Sequence, residues 1–191
     1  MRLVVILFTV VLLVGCKPSA RTEHRQLSKI EGCSLVTKEE VGALQGTTIS
    51  DTKSSETSDG THLITQCYYA ATGPNLSVSV AVTQIDPKST NAPNPRTYWK
   101  QTFGQYDNAK EREEKKDEAH GGGREEEEKS RPPKKVDGVG EDAFWIGDRF
   151  GGALYVLKGD AFIRISVGGP DNEQTKLEKS KTLAQKALGR L

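Results

Sequence analysis

Apolar residues in this chain fall into one unbroken run at the front, several stretches with a period of two, and three stretches at helical spacing. The front run covers residues 3–14 behind a single basic residue, Arg2. It is shorter than the roughly 20 residues a helix needs to cross a hydrocarbon core, and has the proportions of a signal h-region over residues 1–15. Residues 16–31 are polar, with Pro18 and Ser19 and no period of either kind, which predicts a tether. At ~3.3–3.6 Å per residue its reach is at most about 50 Å. Thr37-Lys38-Glu39-Glu40 then fits a capping box, in which the Thr37 hydroxyl accepts from the Glu40 amide and the Glu40 carboxylate reaches back to the Thr37 amide. Val41 and Leu44 follow on one face, and Gly46 stands where a helix ends in a left-handed residue, so a helix is expected over 38–45. Residues 47–61 are rich in Ser, Thr and Asp and read as a solvated loop or an irregular edge strand.

Residues 63–70 are strand-like and carry Cys67; after the Gly73-Pro74-Asn75 turn, Leu76, Val78, Val80 and Val82 alternate with small or polar residues. The two stretches predict an antiparallel hairpin with one buried face. Asn94 and Pro95 suit the cap and first position of a second helix, on which Trp99, Phe103 and Tyr106 recur at helical spacing beside Tyr98. That helix is expected to run from 95 to about 116. Gly138 and Gly140 precede a strand at 143–146, and the stretches 154–157 and Ala161–Val167 flank a hairpin loop, Lys158-Gly159-Asp160. Ile163, Ile165 and Val167 make the core side of the last strand, with Phe162, Arg164 and Ser166 opposite. Asp171 or Asn172 caps a final helix whose Leu177, Leu183, Ala184, Ala187, Leu188 and Leu191 form a stripe that docks on the sheet. The elements define an α+β class: an antiparallel sheet of about four to six strands covered by helices, in one domain over 32–191.

Charge alters this picture in one place. Residues 107–135 mix both signs densely around Gly121-Gly122-Gly123 and Pro132-Pro133, with too few apolar side chains to offset ordering, so 117–135 is expected to be a disordered insertion. Glu125 to Glu128 lack the Asp/Asn/Gly spacing of a calcium loop and read as solvated charge; no metal is expected. Over the whole chain 27 basic residues face 26 acidic ones. This balance gives no general attraction to nucleic acid or anionic lipid.

The apolar run closes on Leu13-Val14-Gly15-Cys16, which resembles the lipobox of bacterial lipoproteins. The resemblance implies cleavage before Cys16, lipid on the Cys16 thiol, and a mature N-terminus held on a membrane by two or more acyl chains, enough for stable attachment. An ordinary secretory signal with a coincidental cysteine is the alternative. Lys17 in place of Asp implies, by the sorting rule of that family, the outer membrane facing the periplasm; in a cell with one membrane the site would be the outer face of the plasma membrane. Of three cysteines, Cys16 is then the odd one. Cys33 and Cys67 are left in a compartment that permits disulfides and are expected to bond. A closed loop of about 35 residues is worth roughly 3–4 kcal/mol on the chain-entropy model.

Candidate chemistry is sparse. His24 falls in the tether, His120 in the insertion, and His62 alone begins a strand. No nucleophile elbow, zinc motif or phosphate loop is present, so no catalytic residue or cofactor is expected and the chain reads as a non-enzyme. Glu141 and Asp142 beside Trp145 could be an acid pair near a sugar-binding aromatic, but adjacent acids at a glycine turn usually form a solvated turn. The aromatic helix is ordinarily a core face; its other reading is a ligand face made by Trp99, Tyr106 and Trp145.

Cys33-Ser34-Leu35-Val36-Thr37 with Glu40-Val41 and Gly46, Cys67-Tyr68-Tyr69 entering a strand, and Gly138-Val139-Gly140-Glu141-Asp142-Ala143-Phe144 before a Leu-Tyr-Val strand together resemble a broad group of small bacterial lipoproteins. Relatives in that group look like PsbP-like α/β/α sandwiches, and no activity is known for the group in general. The resemblance implies a fold and an address. Two roles fit: a non-catalytic binding or accessory module that holds an envelope protein or ligand, or a structural envelope component whose charged insertion acts as a spacer or a cell-wall contact.

Overall fold

A computed structural model describes residues 28–106, 132–147 and 151–191. The leader, Cys16, His24, His120, Glu125 to Glu128 and most of the charged insertion lie outside the described residues. Within them the fold is α+β: strands β1 (Ile49–Ser58), β2 (His62–Ala71), β3 (Val78–Ile85), β4 (Lys134–Lys135), β5 (Asp142–Ile146), β6 (Ala153–Lys158) and β7 (Ala161–Val167) join helices α1 (Lys38–Gln45), α2 (Pro95–Phe103) and α3 (Glu173–Leu188). The strands make one open sheet in the order β1-β2-β3-β7-β6-β5-β4, each antiparallel to its neighbour.

Seven strands exceed the expected four to six, and the two extra ones sit at the edges. β1 has one buried residue, Ile49, in ten positions. It is held by its ladder to β2 and leaves no hydrophobic period to read. β4 is two lysines paired with Trp145 and Phe144. It lies inside the far end of the span expected to be without structure. At the other end, Ser28 to Glu31 belong to the domain as well as to the expected tether. The Ile30 amide donates to Gln84 Oε1 at 2.7 Å and Gly32 to Thr65 Oγ1 at 3.0 Å.

The caps follow local chemistry. Thr37 and Glu40 make both halves of the capping box, and Gly46 ends α1 at φ 64°, a conformation costly for any residue with a Cβ. Asn94 caps α2 with Pro95 in its first turn, and Asn172, of the two candidates, caps α3 through the Thr175 amide. Of the helix expected from 95 to about 116, residues 107–116 lie outside the described residues, and the described part is not all α-helix. α2 stops at Phe103, and Gly104–Tyr106 continues as a 3-10 turn. Phe103 is its last buried residue, and the glycine that follows favours leaving the helix.

The sheet has two different faces. Val78, Val80, Val82, Ile163, Ile165, Val167, Leu154, Val156 and Trp145 point to one side and meet Val41 of α1 and Leu183, Ala184 and Ala187 of α3 in a single core. On the other side α2 covers only the β5–β7 end, where Trp99 and Phe103 pack on Phe144, Leu157 and Phe162. Phe162 is therefore buried although it lies opposite the main core. The β1–β2 end of that side leaves Ile64 40% and Tyr68 41% exposed.

Candidate functional site

Cys33 and Cys67 form the expected disulfide. Cys33 lies in the 3-10 turn Gly32–Ser34 and Cys67 in the middle of β2, with Cα atoms 4.8 Å apart. The turn can lie this close because Gly32 has no side chain: a Cβ there would stand 3.0 Å from the Cys67 nitrogen. The bond ties the incoming chain to the packed face.

The aromatic helix is a core face, its ordinary reading, and the alternative ligand face of Trp99, Tyr106 and Trp145 is not assembled. Trp99 (3% exposed) and Trp145 (1% exposed) are enclosed on opposite sides of the sheet. Strand alternation is the reason: Trp145 points to the α3 side, where its indole donates to Glu173 Oε1 at 3.0 Å, while its neighbour Phe144 points to α2. Trp99 sits in a ring cluster, 4.4 Å from Phe103, 5.7 Å from Phe162 and 6.0 Å from Phe144 by centroid. Tyr106 packs half-buried at its margin. The trio therefore makes two pieces of core.

Where α2 meets the turn before β5, the structure instead holds a charged cleft of about 440 Å³ lined by Arg96, Trp99, Lys100, Lys135, Glu141, Asp142 and Leu157. Arg96 and Lys100 stand one turn apart on α2. Glu141 Oε1 accepts from the Gly159 amide at 2.8 Å and its Oε2 from Arg96 Nη2. Asp142 Oδ2 accepts from the Trp99 indole at 2.8 Å, and Lys135 Nζ lies 2.5 Å from Oδ1 as a charge contact without hydrogen-bond alignment. The same ammonium is 4.9 Å from the centroid of the Phe144 ring. The Gly159 amide, then Arg96, holds the Glu141 carboxyl below the usual range. The pair Glu141 and Asp142 thus faces Trp99, not Trp145, and joins α2, β4 and the β6–β7 turn.

The cleft was hidden because its residues come from four separate segments; the Arg96 to Lys100 helical spacing and the adjacent Glu141 and Asp142 are its local signs. His62, also buried, has its Nε2 3.2 Å from the Pro93 carbonyl and its Nδ1 3.0 Å from Thr61 Oγ1, which fastens the loop ahead of α2. Among the described residues no helix is long and apolar enough to cross a membrane, and no group of three or more His, Cys, Asp and Glu side chains could hold a metal. No family model, curated protein or solved structure matches the chain.

Proposed function

We propose that this protein is a lipid-anchored component of a bacterial cell envelope, cleaved before Cys16 and acylated there, and that its domain is a non-catalytic binding or accessory module. Its place is the outer membrane facing the periplasm, or the outer face of the plasma membrane in a single-membrane cell. The carrying observation is the apolar run ending in Leu13-Val14-Gly15-Cys16, followed at once by polar chain. The closed Cys33 to Cys67 pair supports it, since disulfides persist outside the reducing cytosol. With that pair closed, Cys16 is the one cysteine of three left for lipid. We further assign the helix-covered antiparallel sheet to a PsbP-like sandwich on the motif resemblance above.

Binding is tested by crosslinking in intact cells, followed by capture from solubilised membranes with the full chain and with an anchor-and-tether control, residues 1–31. A partner recovered with the full chain above the control is the expected result; equal recoveries would remove the binding role.

A further inference from the structure

We infer that the cleft between α2 and the turn before β5 binds a small oxyanion-bearing ligand, a phosphate or a carboxylate, held by Arg96 and Lys100. This deepens, and rests on, the assignment of the domain as a binding module. The cleft holds more hydrogen-bond donors than its own acceptors use. Three of the four carboxylate oxygens in the cleft accept hydrogen bonds, Glu141 from the Gly159 amide and Arg96 and Asp142 Oδ2 from the Trp99 indole, and the fourth, Asp142 Oδ1, makes a charge contact with Lys135 without a hydrogen bond. The one oxygen without a hydrogen bond already stands against the Lys135 ammonium. Arg96 gives one of its five N–H groups to Glu141, and the Lys100 ammonium, exposed on the next turn, has no hydrogen bond or ion pair among the described residues.

Three cationic side chains therefore face two carboxylates, and the donors left over point to one kind of guest. A guanidinium and an ammonium on one helix face suit an oxyanion: the planar fork takes two oxygens and the ammonium supplies a point charge. Trp99 and Leu157 give an apolar floor for the carbon skeleton. The volume of about 440 Å³ falls within the ~300–1,000 Å³ usual for small-molecule sites.

The test uses the full chain, disulfide intact, in detergent micelles with ¹⁵N-labelled tryptophan. Only two indole signals are then present, Trp99 and Trp145. Inorganic phosphate, glycerol 3-phosphate and glutarate are titrated to about 20 mM at constant ionic strength, a range that captures millimolar affinities, with choline as the cationic control. A saturable shift of the Trp99 signal, with Trp145 still, is expected for at least one anion, and the phosphate and glutarate arms separate the two chemistries. Lys100→Glu should weaken that response tenfold or more, while Lys53→Glu on the distant β1 leaves it unchanged. No saturable Trp99 shift, a response to choline alone, or equal loss in both variants would overturn the site. Such a failure leaves partner capture by the whole domain standing, whereas failed capture with an intact titration removes the module and not the cleft.

Discussion

The two faces of the same sheet differ in what they bury. On the side of α1 and α3, the rows of β3 and β7 read Val78, Val80, Val82 and Ile163, Ile165, Val167, ending at the Gln84 and Ala161 pair, and the core is continuous from Val41 to Ala187. On the other side the corresponding rows read Ser79, Ala81, Thr83 and Phe162, Arg164, Ser166, and among the described residues α2 is the helix that packs there, at the Phe162 end. Hydrophobic stabilisation follows buried apolar area, so the first face carries the fold. The second is where polar groups can stay accessible, and the charged cleft lies on its covered end.

The largest effect should come from the packed face. Trp145→Ala removes a side chain that is 1% exposed and is expected to cost about 3–5 kcal/mol in urea unfolding; a loss below about 1 kcal/mol would mean the indole is not enclosed. Next, converting both Cys33 and Cys67 to Ser should cost about 3–4 kcal/mol, and adding reductant to that variant should lower its midpoint no further.

A smaller effect comes from Glu40, which joins α1 to the C-terminus. Arg190, then the Thr37 amide, lower its carboxyl to about 2 from an ordinary 4.5. Because the folded value is the lower one, this contribution is complete above about pH 4.5 and fades as pH falls toward 2. Glu40→Ala should cost about 1–2 kcal/mol at pH 7, from the capping box and a largely solvent-screened ion pair, and should flatten the acid limb of the stability curve. An unchanged acid limb would show that other carboxylates govern it. Least affected should be the open face: Tyr68→Ser, at 41% exposure, is expected to stay within about 0.5 kcal/mol of the parent. A loss as large as that of Trp145→Ala would erase the contrast between the faces.

Most of the packed face was legible in the sequence because its signals are local. The Thr37 to Glu40 box, Gly46, the Val78 to Val82 alternation and the Gly159 turn each specify their element within a few residues. β1 was readable only as loop or edge strand, since nine of its ten residues are outside the core and only pairing with β2 makes it a strand. β4 lies in a run of charge whose composition argues against order. The alternative reading of the aromatic trio as a ligand face failed for a different reason: a period of two decides which side of β5 Trp145 faces, but not what covers that side. The cleft needed the fold itself, because Arg96, Lys135 and Glu141 become neighbours only when α2 crosses the end of the sheet.

Cys16 is the residue on which the proposed membrane attachment depends. Intact mass spectrometry of protein extracted from membranes, alongside cells fed an alkyne-tagged fatty acid, reads that residue directly. A chain that starts at Cys16, carries at least two acyl groups and loses both label and membrane association in Cys16→Ser is the predicted result. A mature protein with an unmodified Cys16, or one recovered unlabelled and free of the membrane, would contradict it.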